Sequence, residues 1–205
     1  SLVDFKTSEV CQISLGRTRD AIQQALKQWP YATPEIVVTD LAPGMAQTVQ
    51  EVWPDTKVAA DPFHVIQLFT KQLDSFRKKM TKKDQTKRNR KKVIRLLTTK
   101  PTHLKFKEFL QLEEWFSDHA DVYELYQALQ GIRRIYVQSD LQLIKESLQL
   151  WLERYLFSEV QEVRRISKTI LQWKEPIIHS VYFKVSNGKI EGINNKSHRT
   201  KFNFN

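Results

Sequence analysis

Asp40, Asp61 and His64 stand where two short apolar runs end. Asp40 closes Ile36-Val37-Val38-Thr39, and Asp61 follows Lys57-Val58-Ala59-Ala60 and opens Asp61-Pro62-Phe63-His64. A further acid, Glu191, lies far downstream in Ser186-Asn187-Gly188-Lys189-Ile190-Glu191-Gly192-Ile193-Asn194-Asn195-Lys196. Asn187 reads as the N-cap of a helix on which Glu191 and Asn195 share one face at i, i+4. A carboxylate at a strand end, joined by a distant one on a helix, can hold divalent metals over a phosphodiester. Hard cations such as Mg²⁺ take carboxylate oxygens and let substrate phosphate complete the shell. Sites of that kind take three carboxylates, and no third acid stands at a matching place.

Each of these residues also has a simpler reading. Asp40 precedes Leu41-Ala42-Pro43-Gly44 and would cap a helix starting near Pro43, at a value of ~1 kcal/mol. Asp61 would cap a second helix with Pro62 at its first position, a favoured arrangement. His64 would either orient a neighbour or contact phosphate, or serve the structure alone.

A second chemistry is electrostatic. Arg77, Lys78, Lys79, Lys82, Lys83, Lys87, Arg88, Arg90, Lys91 and Lys92 crowd one stretch that contains a single acid, Asp84. Each phosphate neutralised by such a run adds a salt-dependent increment to nucleic-acid affinity. A solvated helix face is the competing reading. The whole chain of 205 residues carries a net charge of +10, which points to a polyanionic partner, nucleic acid first.

The elements that must position these groups fall into two styles. Leu2–Phe5 and Val10–Leu15 read as a hairpin around Lys6-Thr7-Ser8. Thr18 caps an amphipathic helix through Ile22, Leu26 and Trp29, stopped by Pro30. Glu35–Thr39 reads as a strand covered on both faces. A helix from Pro43-Gly44 through Val49, Val52 and Trp53 leads to the strand Lys57–Ala60. This alternation argues for an α/β sheet with a hairpin at one edge. From Val65 to about Ser180 the periodicity is helical, with breaks near Lys100-Pro101, Ser117-Asp118, Gly131, Phe157-Ser158 and Glu175-Pro176. Trp115, Trp151 and Trp173 read as core.

Composition narrows the classes. Only five glycines and many Leu, Gln, Lys and Glu residues favour helix. The lone Cys11 excludes a disulfide framework and a cysteine-based zinc cluster, and fits a reducing, cytoplasmic compartment. No apolar stretch approaches the ~20 residues of a membrane span. Ser1-Leu2-Val3-Asp4-Phe5 reads as the middle of a strand, so the chain is expected to begin inside a fold.

As a set, Val37–Asp40, the string from Trp53 to Ile66, the continuation Leu73-Asp74-Ser75-Phe76-Arg77, and Ser186–Lys196 resemble the DDE transposases of the bacterial ISL-three insertion-sequence family. The likeness runs from about Leu2 to Lys196. It implies an α/β fold: a ribonuclease-H-like core, truncated at its N-terminal side and interrupted by a long all-helical insertion. The corresponding division is a partial core over 1–68, the insertion over 69–182, and a C-terminal helix returning to the core over 183–205. It implies Mg²⁺ or Mn²⁺ as cofactor, held by Asp40 and Glu191 as the second and last catalytic acids, with Asp61, His64 and Asn195 in support. DNA would be the partner, both as transposon ends and as target, in the bacterial cytoplasm near the nucleoid, with a possible homo-oligomer.

The family's first Asp belongs to a strand preceding Leu2–Phe5, and Asp4 has the wrong alignment to replace it. The expected function is a transposase fragment whose parent cuts and joins DNA, the chain by itself being inactive. The alternatives are a non-catalytic basic module for DNA binding or dimerisation, and a helical protein-interaction domain.

Overall fold

A computed structural model of the protein describes Leu2–Val3, Val10–Gln12, residues 18–80 and residues 87–186. The chain divides into two compact units, residues 1–64 with 175–205, and residues 65–174.

In the first unit, β1 (Leu2–Val3) pairs antiparallel with β2 (Val10–Gln12), Leu2 opposite Gln12 and Val3 opposite Val10. Helix α1 (Arg19–Lys27) starts where Thr18 accepts a hydrogen bond from the Ala21 N–H at 3.3 Å. Asp20 in its first turn and Lys27 in its last complement the helix dipole. Strands β3 (Ile36–Thr39) and β4 (Lys57–Ala60) are parallel and joined through α2 (Pro43–Val52). Leu26, Val49, Trp53 and Val58 form the core between these elements, with Ile22, Trp29 and Val37 packed against it.

Helix α9 (Lys174–Phe183) belongs to this unit from Glu175 onward. Its His179 Nδ1 lies 2.8 Å from the Val58 carbonyl oxygen, and Lys57 Nζ lies 5.3 Å from the centre of the Phe183 ring. The helix terminates at Lys184, in the left-handed region at φ 53°. Glycine is the usual residue there, because a Cβ is disfavoured in that conformation.

The boundary between the units falls inside α3 (Pro62–Met80), after His64. The second unit continues with α4 (Lys87–Thr98), a single 3₁₀ turn at Pro101–His103, α5 (Phe106–Asp118), α6 (Ala120–Ile135), α7 (Leu141–Tyr155) and α8 (Gln161–Gln172). Its interior is filled by Phe69, Leu73, Leu97, Leu125, Leu129, Ile132, Leu148 and Leu152. Trp151 and Trp173 are buried as expected, while Trp115 is half-buried.

Three expectations need correction. Gly131 does not break a helix but lies inside α6, where an added Cβ would come within 2.8 Å of Trp151 Cδ1. Its lack of a side chain lets the indole approach and donate from Nε1 to the Ala128 carbonyl at 3.0 Å. Strand β3 is not fully covered, since Ile36, Val37 and Val38 are each half-buried. Among the described residues the strands form two separate two-stranded sheets rather than one sheet with a hairpin at its edge. The fold is a mostly helical α/β structure.

Candidate functional site

Register brings the two strand-end acids together. Thr39 pairs with Ala60, and the Asp61 N–H donates to the Thr39 carbonyl at 2.8 Å. Asp40 and Asp61 are thus the next residues beyond a matched pair, on strands that run ~4.8 Å apart. Both stand at the carboxyl edge of the parallel pair, where open α/β folds bind ligands.

Their surroundings differ. Asp40 is exposed, and its Oδ1 accepts from the Ala42 N–H at 3.2 Å. That bond closes a local turn two residues long. The cap position of α2 is occupied by Ala42, which makes no side-chain cap bond, so Asp40 does not act as the helix cap. Asp61 is 1% exposed. Its Oδ1 accepts from the Phe63 N–H at 3.3 Å, with Pro62 opening α3, so here the capping expectation matches the geometry. His64 Nε2 lies 3.8 Å from Asp61 Oδ2, close enough for charge attraction when the ring is protonated and too far for a good hydrogen bond.

Carboxylates at one edge suit a hard divalent ion. Among the described residues, no cluster of three His, Cys, Asp or Glu side chains could hold one. Glu191 and Asn195 lie outside the described residues, so of the candidate site acids Asp40 and Asp61 are the two whose placement is described.

The basic run is not uniform. Arg77 is 8% exposed, and its Nε donates to Asp74 Oδ1 at 2.8 Å. Lys78 Nζ lies 2.9 Å from the other oxygen of Asp74. The Arg77 hydrogen bond, reinforced by Lys78, holds the Asp74 carboxyl below its ordinary range despite partial burial. Arg77 therefore leaves the expected contact surface: it is part of the packing of α3. Lys82 and Lys83 lie outside the described residues. For Lys79, Lys87, Arg88 and Arg90 the helical backbone is described and the side chains are not. Lys91 and Lys92 are exposed on α4.

The basic surface extends further than the expected run. From Gln85 to Lys107 the sequence holds nine Lys and Arg residues and no acid. Arg95, Lys100, Lys105 and Lys107 are all exposed. Arg95 is paired with Glu108, whose other oxygen accepts from the Lys105 N–H at 3.0 Å. The absence of acids past Lys92 is the sequence signal for this extension.

Comparison with known families decides the kinship. The family model for ISL-three DDE proteins, described as Transposase, matches residues 1–203.

The chain belongs to the ISL-three family of DDE transposases.

The match spans both compact units of the transposase, including Asp40, Asp61 and Glu191. Transposition, a form of DNA recombination, is the process in which this family works. No curated protein and no solved structure matches the chain. Among the described residues of the transposase, no helix is long and apolar enough to cross a membrane.

Proposed function

We propose that this chain carries the second and last acidic residues of a DDE active site, Asp40 and Glu191, in a ribonuclease-H-like core interrupted by the helical unit. The reading rests on one observation above all: in a chain of this family, Asp40 is exposed at the carboxyl end of a parallel strand. Its turn bond to Ala42 fixes the carboxylate's direction without burying it. Mg²⁺ or Mn²⁺ held by Asp40 and Glu191 would activate water or a 3′-hydroxyl and stabilise the leaving oxygen.

The other residues have supporting parts in this reading. Asp61 caps α3 and ties the start of that helix to β4, with His64 one turn on. Asn195, four residues after Glu191 in the sequence, would assist it. Lys78, Lys79, Lys82, Lys83, Lys87, Arg88, Arg90, Lys91 and Lys92 contact DNA phosphates, which fixes register without reading sequence. With only Asp40 and Glu191 matched to the family's three catalytic acids, the 205-residue chain is expected to bind DNA without cutting it.

Cleavage of transposon-end DNA by the full-length transposase in Mn²⁺ tests this. Asp40→Asn and Glu191→Gln should each abolish cutting while DNA retention persists. Undiminished cutting by either variant overturns the assignment. Cutting by the 205-residue chain that Asp40→Ala abolishes would overturn its predicted inactivity. Binding that tracks residues 78–92 with a steep salt slope, and no cutting by the full-length protein, would favour a non-catalytic DNA-binding module.

A further inference from the structure

The acid-free basic stretch ends on an exposed apolar stripe. Phe106 is 76% exposed, Phe109 44% and Leu110 50%. Their i, i+3, i+4 spacing places all three on neighbouring positions of α5, with Phe106 and Leu110 turned from the buried Leu112 and Phe116 and Phe109 at the edge of that buried face. Lys105 and Lys107 flank Phe106, and Lys100 precedes it across the 3₁₀ turn, all exposed. On α4, which packs against α5, Lys91 and Lys92 are exposed as well. The nearest acid, Glu108, is engaged by Arg95 and by the Lys105 N–H. Lysines around an unpacked phenyl ring make the start of α5 cationic and suited to stacking, and the exposed Glu113 and Glu114 bound that patch beyond Leu110.

Area and charge choose among occupants. A stable protein dimer takes about 800 Å² from each partner. An aromatic side chain supplies roughly 150–250 Å² when fully buried, so three partly exposed side chains fall far short. They suffice for one or two nucleobases. Duplex DNA hides its base faces, whereas an unpaired strand offers a base to stack and a phosphate to each neighbouring lysine. We propose that the start of α5, from its cap Lys105 to Leu110, docks an unpaired DNA strand, with Phe106 stacking on a base and Lys105 and Lys107 contacting its phosphates. This rests on the reading of DNA as the partner and adds a preference for single-stranded segments such as frayed or nicked ends.

Fluorescence anisotropy with the full 205-residue chain tests the proposal, using labelled oligothymidine and a duplex of equal length. Phe106→Ala should weaken oligothymidine binding roughly 5- to 150-fold, the range one stacked base supplies, and leave duplex binding within about twofold. Phe106→Trp should restore binding, with its fluorescence quenched by the oligonucleotide. Lys105→Ala should flatten the salt dependence on both probes. Equal loss on both probes, or no loss on oligothymidine, overturns the stacking role while leaving DNA as partner. A Phe106→Ala change in sedimentation mass without a change in oligothymidine binding overturns it in favour of self-association. If the unsubstituted chain binds neither probe, the DNA reading fails as well.

Discussion

Asp40 and Asp61 follow neighbouring strands at matching register positions, yet they meet opposite circumstances. After β3 the chain turns through Leu41 and Ala42 before α2 begins, and the short excursion leaves Asp40 exposed. After β4 the helix begins at once with Pro62, so Asp61 is drawn into the cap and buried at 1% exposure. The same contrast recurs among the cations. Arg77 is buried against Asp74, whereas Lys91 and Lys92 face solvent. Residue type announces what a group is able to do. The next few residues of backbone decide whether it is committed to structure or available to a ligand.

Substitutions can break this contrast. The largest effect is expected on catalysis by the full-length transposase. Asp40→Ala should lower Mn²⁺-dependent cleavage by more than about 100-fold with little change in melting temperature. Asp61→Ala should do the reverse, lowering stability by about 1–2 kcal/mol through loss of a buried cap, as read by urea unfolding. If Asp61→Ala abolishes cleavage at unchanged stability, the two acids share the metal and the contrast fails.

Smaller effects sharpen the cationic half of the comparison. Replacing both Lys91 and Lys92 by Ala should reduce the slope of log affinity against log salt by ~2 on duplex DNA, about 0.9 for each phosphate left unneutralised. Arg77→Ala should leave that slope unchanged and lower thermal stability. The smallest effect is on pH dependence. Because the folded-state pKa of Asp74 is depressed, its pairing with Arg77 and Lys78 stabilises the fold above the unfolded carboxylate range near ~4 and is lost as pH falls through the lower folded value. Asp74→Asn should therefore flatten the acid limb of a stability–pH curve measured below about pH 4. An unchanged acid limb would deny the pair that role.

Much of the first unit is legible in the sequence because its signals are local. Thr18 before an amphipathic run, Pro62 after Asp61, and the short apolar run Lys57–Ala60 each specify an element within a few residues. Gly131 misleads because its cause is remote: the indole of Trp151, from the next helix, needs the space. The start of α7 has a local signal in Asp140, which accepts from the Leu143 N–H at 2.7 Å, although no glycine or proline marks it. Arg77 sits among basic neighbours in sequence, while helical spacing puts it on the stripe of Phe69 and Leu73, at i+8 and i+4. Of the candidate site, the strand-end acids and the cap are readable. The difference in exposure between Asp40 and Asp61 is not, because it depends on the length of each loop.

The central claim, that Asp40 and not Asp61 faces the metal beside Glu191, is tested most directly by replacing Mg²⁺ with Fe²⁺. Ascorbate and peroxide then generate hydroxyl radicals that cut the protein backbone beside the bound ion, and mass spectrometry locates the cuts in the full-length transposase. Cuts are expected next to residues 40 and 191, lost in Asp40→Ala and retained in Asp61→Ala. Cuts that survive Asp40→Ala, or that disappear only in Asp61→Ala, would contradict the account.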